Sequence, residues 1–135
     1  MIRSYFLGFT IAFLGLFLFQ SCADGQQVAG SKQDLSAAEF KAVAESPDIT
    51  LLDIRTSGEF ASGAIAGAKN IDWYNGENFK SEVSKLNKDK PVYMYCASGN
   101  RSGSAIELLK AMGFKEVYHL QGGMGAWRRA GYPVK

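Results

Sequence analysis

Three short apolar runs constrain the fold of this chain more than any other feature. They are "ITLLDI" (residues 49–54), "VYMY" (92–95) and the apolar part of "EVYHL" (116–120). The first is a continuous run with β-branched residues, which is typical of a strand that is buried on both faces. The second predicts another buried strand, and the third predicts a strand. "AKNI" (68–71) predicts a further, shorter strand, and helix-forming segments separate the runs. This alternation predicts an α/β fold in which helices flank both faces of a mostly parallel central sheet.

The helix-forming segments carry recognisable signals. Ser36 followed by Glu39 forms a capping box, and "SAAEFKAVAES" places Phe40, Val43 and Ala44 on one face. Further helices are predicted in "GENFKSEVSKLN", in "SGSAIELLKAMG" and, after a "QGG" turn, in "MGAWRRAG". A chain of 135 residues has room for one domain, which we place at residues 35–135 and expect to be a monomer.

The N-terminus differs in kind from the rest of the chain. The run "FLGFTIAFLGLFLF" (6–19) is almost wholly apolar, yet shorter than the about 20 residues of a membrane-spanning helix. Its length fits the hydrophobic part of a secretory signal. Ser21 and Cys22 then resemble the lipobox of bacterial lipoproteins, although Phe19 and Gln20 depart from its commonest form. We therefore expect a lipoprotein-type signal peptide at residues 1–21 and lipidation of Cys22.

The small, polar stretch that follows, "ADGQQVAGSKQD", predicts a flexible tether at residues 22–34. The domain would then be exported, attached to a membrane of the bacterial cell envelope through Cys22, and would face the periplasm. Two alternatives remain at this point: an ordinary signal peptide with an incidental cysteine, and an anchor that leaves the domain in the cytoplasm.

Composition argues against two classes of partner. The net charge of +2 is small and scattered, so the chain shows no basic stripe for nucleic acid. The two cysteines and the single histidine have no metal-ligand spacing, so no metal site is expected.

The loop that follows "VYMY" carries the chemistry. Cys96 lies at the end of that run, and a helix is predicted to begin near Ser102. Ligands of parallel sheets bind beyond the carboxyl ends of the strands. Backbone N–H groups of "ASGNR" (97–101) can turn toward the sulfur, and the helix N-terminus adds the positive end of its dipole.

Side chains in this loop support the same interpretation. Gly99 suits an unusual backbone angle, while Ser98, Asn100 and Ser102 can brace the loop with hydrogen bonds. Arg101 adds a permanent positive charge at the rim. Together these features predict a lowered thiol pKa and a nucleophilic Cys96, whereas an unsupported cysteine of this kind is usually a small buried hydrophobe.

Loop length indicates which group the loop can hold. Four residues separate Cys96 from Arg101, one fewer than in the loop of cysteine phosphatases. Fewer amides enclose a smaller volume, which favours a single sulfur bonded to the cysteine, a persulfide, over a tetrahedral phosphate. A phosphatase or an arsenate reductase is therefore the weaker enzymatic alternative.

Taken together, these motifs resemble the rhodanese family. "LLDIRTSGEFASGAIAGAKNID" (51–72) is similar to the first family signature, with its Asp-x-Arg, its Glu-Phe pair and its Gly-x-Ile-x-Gly-Ala. "VYMYCASGNRSGSAIELLKAMGFKEVYHLQGGMGAW" (92–127) is similar to the active-site strand, loop, helix and closing Gly-Gly-x-x-x-Trp. The resemblance extends from Leu35 to Pro133.

The resemblance implies a sulfurtransferase that needs no cofactor. Cys96 would accept sulfane sulfur from an anionic donor, either thiosulfate or a persulfide or polysulfide, and release it to a thiophilic acceptor such as cyanide or a thiol. The amides of the persulfide-binding loop (Ala97, Ser98, Gly99, Asn100) and of Arg101 would stabilise the persulfide, and Arg101 would hold the donor. The alternative from another class is a non-catalytic rhodanese module that binds a partner at the cell envelope.

Two residues depart from the family pattern. Ala64 stands where most members have a histidine, which the resemblance implies is structural. Ala97 stands where many thiosulfate-using members have a basic or bulky residue. The second departure favours a persulfide or polysulfide as the better donor.

Several other residues are weaker candidates. His119 in a strand pattern is expected to be structural rather than catalytic. Asp53 and Arg55 should lie on the same side of the sheet as Cys96 and fix loops through an ion pair, with Glu59 as a candidate partner of Arg55. A disulfide between Cys22 and Cys96 is a further alternative for an exported chain.

Aromatic and glycine residues near the site also need an account. Trp73 and Tyr74 either wall the pocket or pack a loop, and Trp127 is expected in the core. Gly122 and Gly123 are expected to form a tight turn that lets the last helix approach the cysteine loop.

Overall fold

The computed structural model describes residues 33–135, which form a parallel five-stranded sheet with helices. The predicted α/β class is confirmed. The elements, in chain order, are β1 (Asp34–Leu35), α1 (Ala37–Ala44), β2 (Thr50–Asp53), α2 (Ser57–Ala61), β3 (Lys69–Asn70), α3 (Gly76–Ser84), β4 (Val92–Tyr95), α4 (Asn100–Ala111), β5 (Val117–Leu120) and α5 (Gly123–Arg129).

Residues of the central strands alternate between the two faces of the sheet. Leu52 pairs with Met94 and packs with α3 and α4, whereas Leu51 pairs with Tyr93 and packs with α1 and α5. Each face therefore has its own hydrophobic core beneath two helices. Removing such side chains from water stabilises the fold by about 1.5–3 kcal/mol each.

Helix α1 begins where its capping box predicts. Ser36 Oγ accepts from the N–H of Glu39, whose carboxylate accepts in turn from Ser36 N–H. Phe40 and Ala44 of this helix are buried, and the ring of Phe40 packs edge to face on Trp127. The predicted third inner residue, Val43, is only half-buried.

Two short elements were not predicted. Helix α2 begins at a second capping box, between Thr56 and Glu59, and spans five residues. Strand β1 has only two residues and pairs with β5 at one edge of the sheet. Its first residue, Asp34, lies one residue before the predicted start of the domain.

The strand order β1-β5-β4-β2-β3 creates a switch point at the centre of the sheet. From β2 the chain continues to β3 on one side, whereas from β4 it continues to β5 on the other. The carboxyl ends of β2 and β4 lie side by side, joined by a 3.0 Å hydrogen bond from Ile54 N–H to the Tyr95 carbonyl. Ligands of such sheets bind at this point.

The predicted signal peptide, the lipidation site Cys22 and most of the predicted tether lie outside the described residues. Within residues 33–135, no helix has both the length and the apolar character to cross a membrane.

Candidate active site

Cys96 lies directly after β4, at the switch point, and is fully buried. Its Sγ accepts a hydrogen bond from Gly99 N–H at 3.1 Å and contacts Ser102 Oγ at 3.6 Å. The thiol is free. The loop therefore directs polar hydrogens at the sulfur in a place where water is excluded.

A left-handed glycine shapes this loop. Gly99 has a φ of 96° and is the N-cap of α4. The first intrahelical bond of α4 runs from Gly103 N–H to the Gly99 carbonyl, so the preceding N–H groups have no partner within the helix. These amides are available to the sulfur.

The other side of the loop is attached to α5. Met124 N–H donates to the Cys96 carbonyl at 2.8 Å, and Gly125 N–H donates to the Ala97 carbonyl at 3.1 Å. The turn at Gly122 and Gly123 makes this approach possible, since a Cβ on Gly123 would lie 2.7 Å from the Ala97 oxygen. The predicted role of the glycine pair is confirmed. Loop carbonyls thus bond to α5 and leave amides for the sulfur.

The pKa of Cys96 reflects a competition between burial and hydrogen bonding. Burial raises the pKa of the thiol, but the N–H and hydroxyl of Ser102 and the amides of Ser98 and Gly99 outweigh it. The net result is a pKa below that of an ordinary cysteine. Hydrogen bonds to the charged form favour the thiolate.

Arg101 is paired with Glu59. Its two terminal nitrogens lie 2.9 and 2.7 Å from the two carboxylate oxygens, and its guanidinium lies 5.1 Å from the centre of the Tyr74 ring. The Arg101 hydrogen bond outweighs partial burial and lowers the pKa of Glu59 to about 2, and the same bond raises the pKa of Arg101. The prediction that Arg55 pairs with Glu59 was wrong.

Arg55 pairs with Asp53 instead. Its Nη2 lies 2.6 Å from Asp53 Oδ2 and donates at 2.8 Å to the Gly63 carbonyl, and both charged side chains are buried. Burial lowers the pKa of Arg55, but the hydrogen bonds and charge of Asp53 outweigh it and raise the pKa overall. Asn70 Nδ2 donates to the carbonyls of both residues. The pair fixes the loops beside the site, as predicted.

His119 belongs to a chain of side chains that begins at the sulfur. Its Nδ1 lies 2.9 Å from Ser102 Oγ, and its Nε2 lies 2.7 Å from Asp34 Oδ1. Of the three loop residues predicted to brace the site, Ser102 does so. The side chains of Ser98 and Asn100 are exposed and make no hydrogen bond within residues 33–135.

The aromatic candidates separate into two groups. Trp73 packs edge to face on Phe79 at 5.1 Å and belongs to a core, whereas Tyr74 is exposed beside Arg101 at the rim. Trp127 is buried, as predicted. Among residues 33–135, no group of three His, Cys, Asp or Glu side chains is placed to hold a metal ion.

Two residues beside the site were not identified from the sequence as its members. Glu59 was predicted within a family signature and as a candidate partner of Arg55, but not as the partner of Arg101, and its capping box with Thr56 was an available signal for α2. Asp34 lies in the stretch predicted to be a tether, and its partner His119 is 85 residues away. No local pattern connects residues so far apart.

Comparison with known proteins shows the family to which this chain belongs. The family model for the rhodanese-like domain matches residues 36–130. The thiosulfate sulfurtransferase GlpE of Shewanella oneidensis is 33% identical, over 74% of this chain and 96% of its own length. The tRNA uridine(34) hydroxylase of Teredinibacter turnerae is 38% identical over 67% of this chain, which spans only 29% of that protein.

A solved structure shows the same fold. The rhodanese-related protein of Thermoplasma volcanium aligns with a TM-score of 0.67 and 31% identity, over 76% of this chain and 97% of that protein. Relatives named as sulfurtransferases and relatives named as hydroxylases are therefore both similar to this chain.

Proposed function

Because the chain belongs to the rhodanese-like domain family, we propose that it is a sulfurtransferase in which Cys96 carries sulfane sulfur as a persulfide. One observation carries the proposal: the Cys96 sulfur lies at the switch point of the sheet and accepts hydrogen bonds that lower its pKa. A thiolate with a lowered pKa is the nucleophile that sulfur transfer needs.

Transfer would take place in two displacements. The Cys96 thiolate attacks the outer sulfur of the donor, a new S–S bond forms, and the S–S bond of the donor breaks. The leaving group, sulfite or a thiolate, departs with the bonding electrons. A thiol or cyanide then attacks the outer sulfur of the persulfide, and Cys96 departs again as the thiolate.

Loop amides would hold the persulfide in place of the thiolate. The amides that now face the sulfur belong to three residues with uncharged side chains (Ser98, Gly99, Ser102). They can therefore stabilise the single negative charge of a persulfide, and a bound group need not carry two charges. Ala97, whose carbonyl is bonded to α5, adds no charge either. No cofactor takes part in these steps.

The preferred donor would be a persulfide or polysulfide rather than thiosulfate. Arg101 is the charged residue of the loop, and both of its terminal nitrogens already bond to Glu59. A dianionic donor therefore meets a guanidinium whose charge is balanced. A sulfur donor with less negative charge depends less on attraction to Arg101, so the Arg101–Glu59 pair weakens its binding less.

A second candidate function is a non-catalytic module that binds a partner at the envelope. The complete burial of Cys96 favours it, because an external donor cannot reach the sulfur unless the rim moves. Under either function, we propose export to the bacterial envelope and attachment through a lipid on Cys22, which mass measurement of the mature N-terminus would test.

The mass of the purified full-length chain tests the proposed function. After exposure to a polysulfide, Cys96 should gain one sulfur atom, about 32 Da, which cyanide then removes. Peptide mass should assign the gain to Cys96, and the variant Cys96→Ser should show none there. If folded, reduced protein gains no sulfur from either polysulfide or thiosulfate, the sulfurtransferase proposal is wrong and the binding module replaces it.

A further inference from the structure

A chain of hydrogen-bonded side chains leads from the Cys96 sulfur to the protein surface. Ser102 Oγ lies 3.6 Å from Sγ and 2.9 Å from His119 Nδ1, and His119 Nε2 lies 2.7 Å from Asp34 Oδ1. Ser102 and His119 are buried, whereas the Asp34 side chain is 60% exposed. The chain therefore connects a buried thiol to a carboxylate in water.

Three elements of the fold bring these groups together. Parallel pairing of β1 with β5 places Asp34 beside His119 in register. Ser102 lies in the first turn of α4, which crosses close to the imidazole. Gly103 lies directly against the ring, since a Cβ there would lie 3.4 Å from His119 Cε1.

The hydrogens that each side chain carries determine which group donates and which accepts in each of these hydrogen bonds. As a carboxylate, Asp34 only accepts, so His119 Nε2 carries a hydrogen and Nδ1 of the neutral ring accepts. The Ser102 hydroxyl has one hydrogen, and its shortest contact is with Nδ1 rather than with the Gly99 carbonyl at 3.2 Å. Ser102 Oγ is then free to accept the hydrogen of the Cys96 thiol.

We propose that Ser102, His119 and Asp34 form a proton relay that removes the thiol proton of Cys96. The S–H bond breaks, Ser102 Oγ takes that proton, and the original hydroxyl proton passes to His119 Nδ1. Thiol and neutral imidazole become thiolate and imidazolium, so the number of protons and the total charge are unchanged. The relay rests on the proposed function only in that it assigns a purpose to the thiolate.

The two end states use the same contacts with reversed donors. In the imidazolium state, Nδ1–H donates to Ser102, and the Ser102 hydroxyl donates to the thiolate. Asp34 stabilises the positive ring, so His119 and Asp34 act on Cys96 through Ser102 as positioning residues. Two further charged groups lie at this edge: Lys110, whose Nζ bonds to Gln33 Oε1 at 3.0 Å, and Glu107, whose Oε1 accepts from the same Nζ at 3.2 Å.

A double-mutant cycle on the full-length chain tests the relay. The thiolate is measured by its ultraviolet absorbance as a function of pH. For each protein, the absorbance of the same protein carrying Cys96→Ser is subtracted, which removes the contribution of Cys22. Asp34→Asn keeps an oxygen that accepts from Nε2 but removes the charge, and should lower the thiolate-to-thiol ratio at neutral pH about threefold. His119→Gln should lower it about tenfold, or about one pH unit in the midpoint.

In a Ser102→Ala background, Asp34→Asn should have no further effect, because the link to the sulfur is missing. Tyr118→Phe is the matched control, since it removes a hydrogen bond to Glu116 from the same strand without touching the relay, and should leave the ratio unchanged. Thermal unfolding separates a folding defect from a change at the sulfur.

The relay is wrong if Asp34→Asn leaves the ratio unchanged, or if it shifts the ratio equally with and without Ser102. Asp34 lies in a two-residue edge strand and its side chain is largely in water, so this variant remains informative even if His119→Gln fails to fold. Because absorbance needs no sulfur donor, the relay can hold although the protein gains no sulfur from polysulfide, and the reverse outcome is equally distinguishable.

Discussion

Arg101 and Glu59 form a two-point ion pair, with N–O distances of 2.9 and 2.7 Å, across the rim of the cysteine loop. Glu59 also closes the capping box of α2 by accepting from the N–H and hydroxyl of Thr56. One carboxylate therefore begins a helix and balances the charge of the loop. A substitution that keeps the hydrogen bonds of Glu59 but removes its charge can therefore separate the two roles.

Glu59→Gln should increase the use of thiosulfate. Glutamine can still complete the capping box, but it leaves the Arg101 charge unbalanced. We expect the KM for thiosulfate, with cyanide as acceptor, to fall about 3- to 10-fold at low ionic strength and less at high salt. Glu77→Gln, which removes an exposed carboxylate from α3, is the control. Equal KM values for both variants and the unaltered chain would contradict the proposed effect of charge balance on donor choice.

The same carboxylate should make stability depend on pH. Its pKa is about 2 in the folded chain, below the about 4.3 of an unfolded glutamate. A depressed pKa gives stability that is present above the unfolded value and is lost as pH falls toward about 2. The difference in denaturation midpoint between the unaltered chain and Glu59→Gln should therefore shrink from pH about 5 to about 2. A difference that stays constant over this range would show that the ion pair does not stabilise the fold.

Gly123→Ala should destabilise the domain by at least about 2 kcal/mol. Gly123 has a φ of 56°, and a Cβ there would overlap the Cys96 carbonyl and the Ala97 carbonyl group. Gly58→Ala is the control, since a Cβ there meets nothing within 4 Å. Urea unfolding of both variants measures the effect. Similar losses in the two proteins would mean that the contact between α5 and the loop is not tight.

Arg55→Ala should cost about 3–5 kcal/mol, because it leaves the buried carboxylate of Asp53 without its partner. Lys69→Ala breaks a partly exposed ion pair with Glu82 and should cost less than about 1 kcal/mol. Chemical denaturation provides both values. If Arg55→Ala were as mild as Lys69→Ala, the Asp53 carboxylate would have to find other donors or take up a proton.

The parts of the fold that follow from periodicity were predictable. The buried strands β2, β4 and β5 and the longer helices each bury a regular set of apolar residues. Helix α2 is too short to show a helical period, and its five residues bury no side chain. Strand β1 is a strand only because β5 lies beside it, which no two-residue pattern can reveal.

The site divides in the same way. Loop, sulfur and helix start are contiguous in sequence, so their geometry was accessible from Cys96 onward. The partner of Arg101 is 42 residues away and that of His119 is 85 residues away. Arg55 and Glu59 are four residues apart, but α2 begins only at Ser57, so the two do not share a helix in which that spacing would bring them together.

The short strand β1 affects where the boundaries of this domain should be placed when it is fused to another protein. A piece cut to the range that the family model matches, 36–130, would contain the whole cysteine loop but begin two residues after Asp34. It would also lack the Pro133 carbonyl that accepts from Trp127 Nε1, and Lys135, which pairs with Ala64. A domain cut to this range would keep the cysteine loop but lose the contacts of Asp34, Pro133 and Lys135 with the rest of the fold.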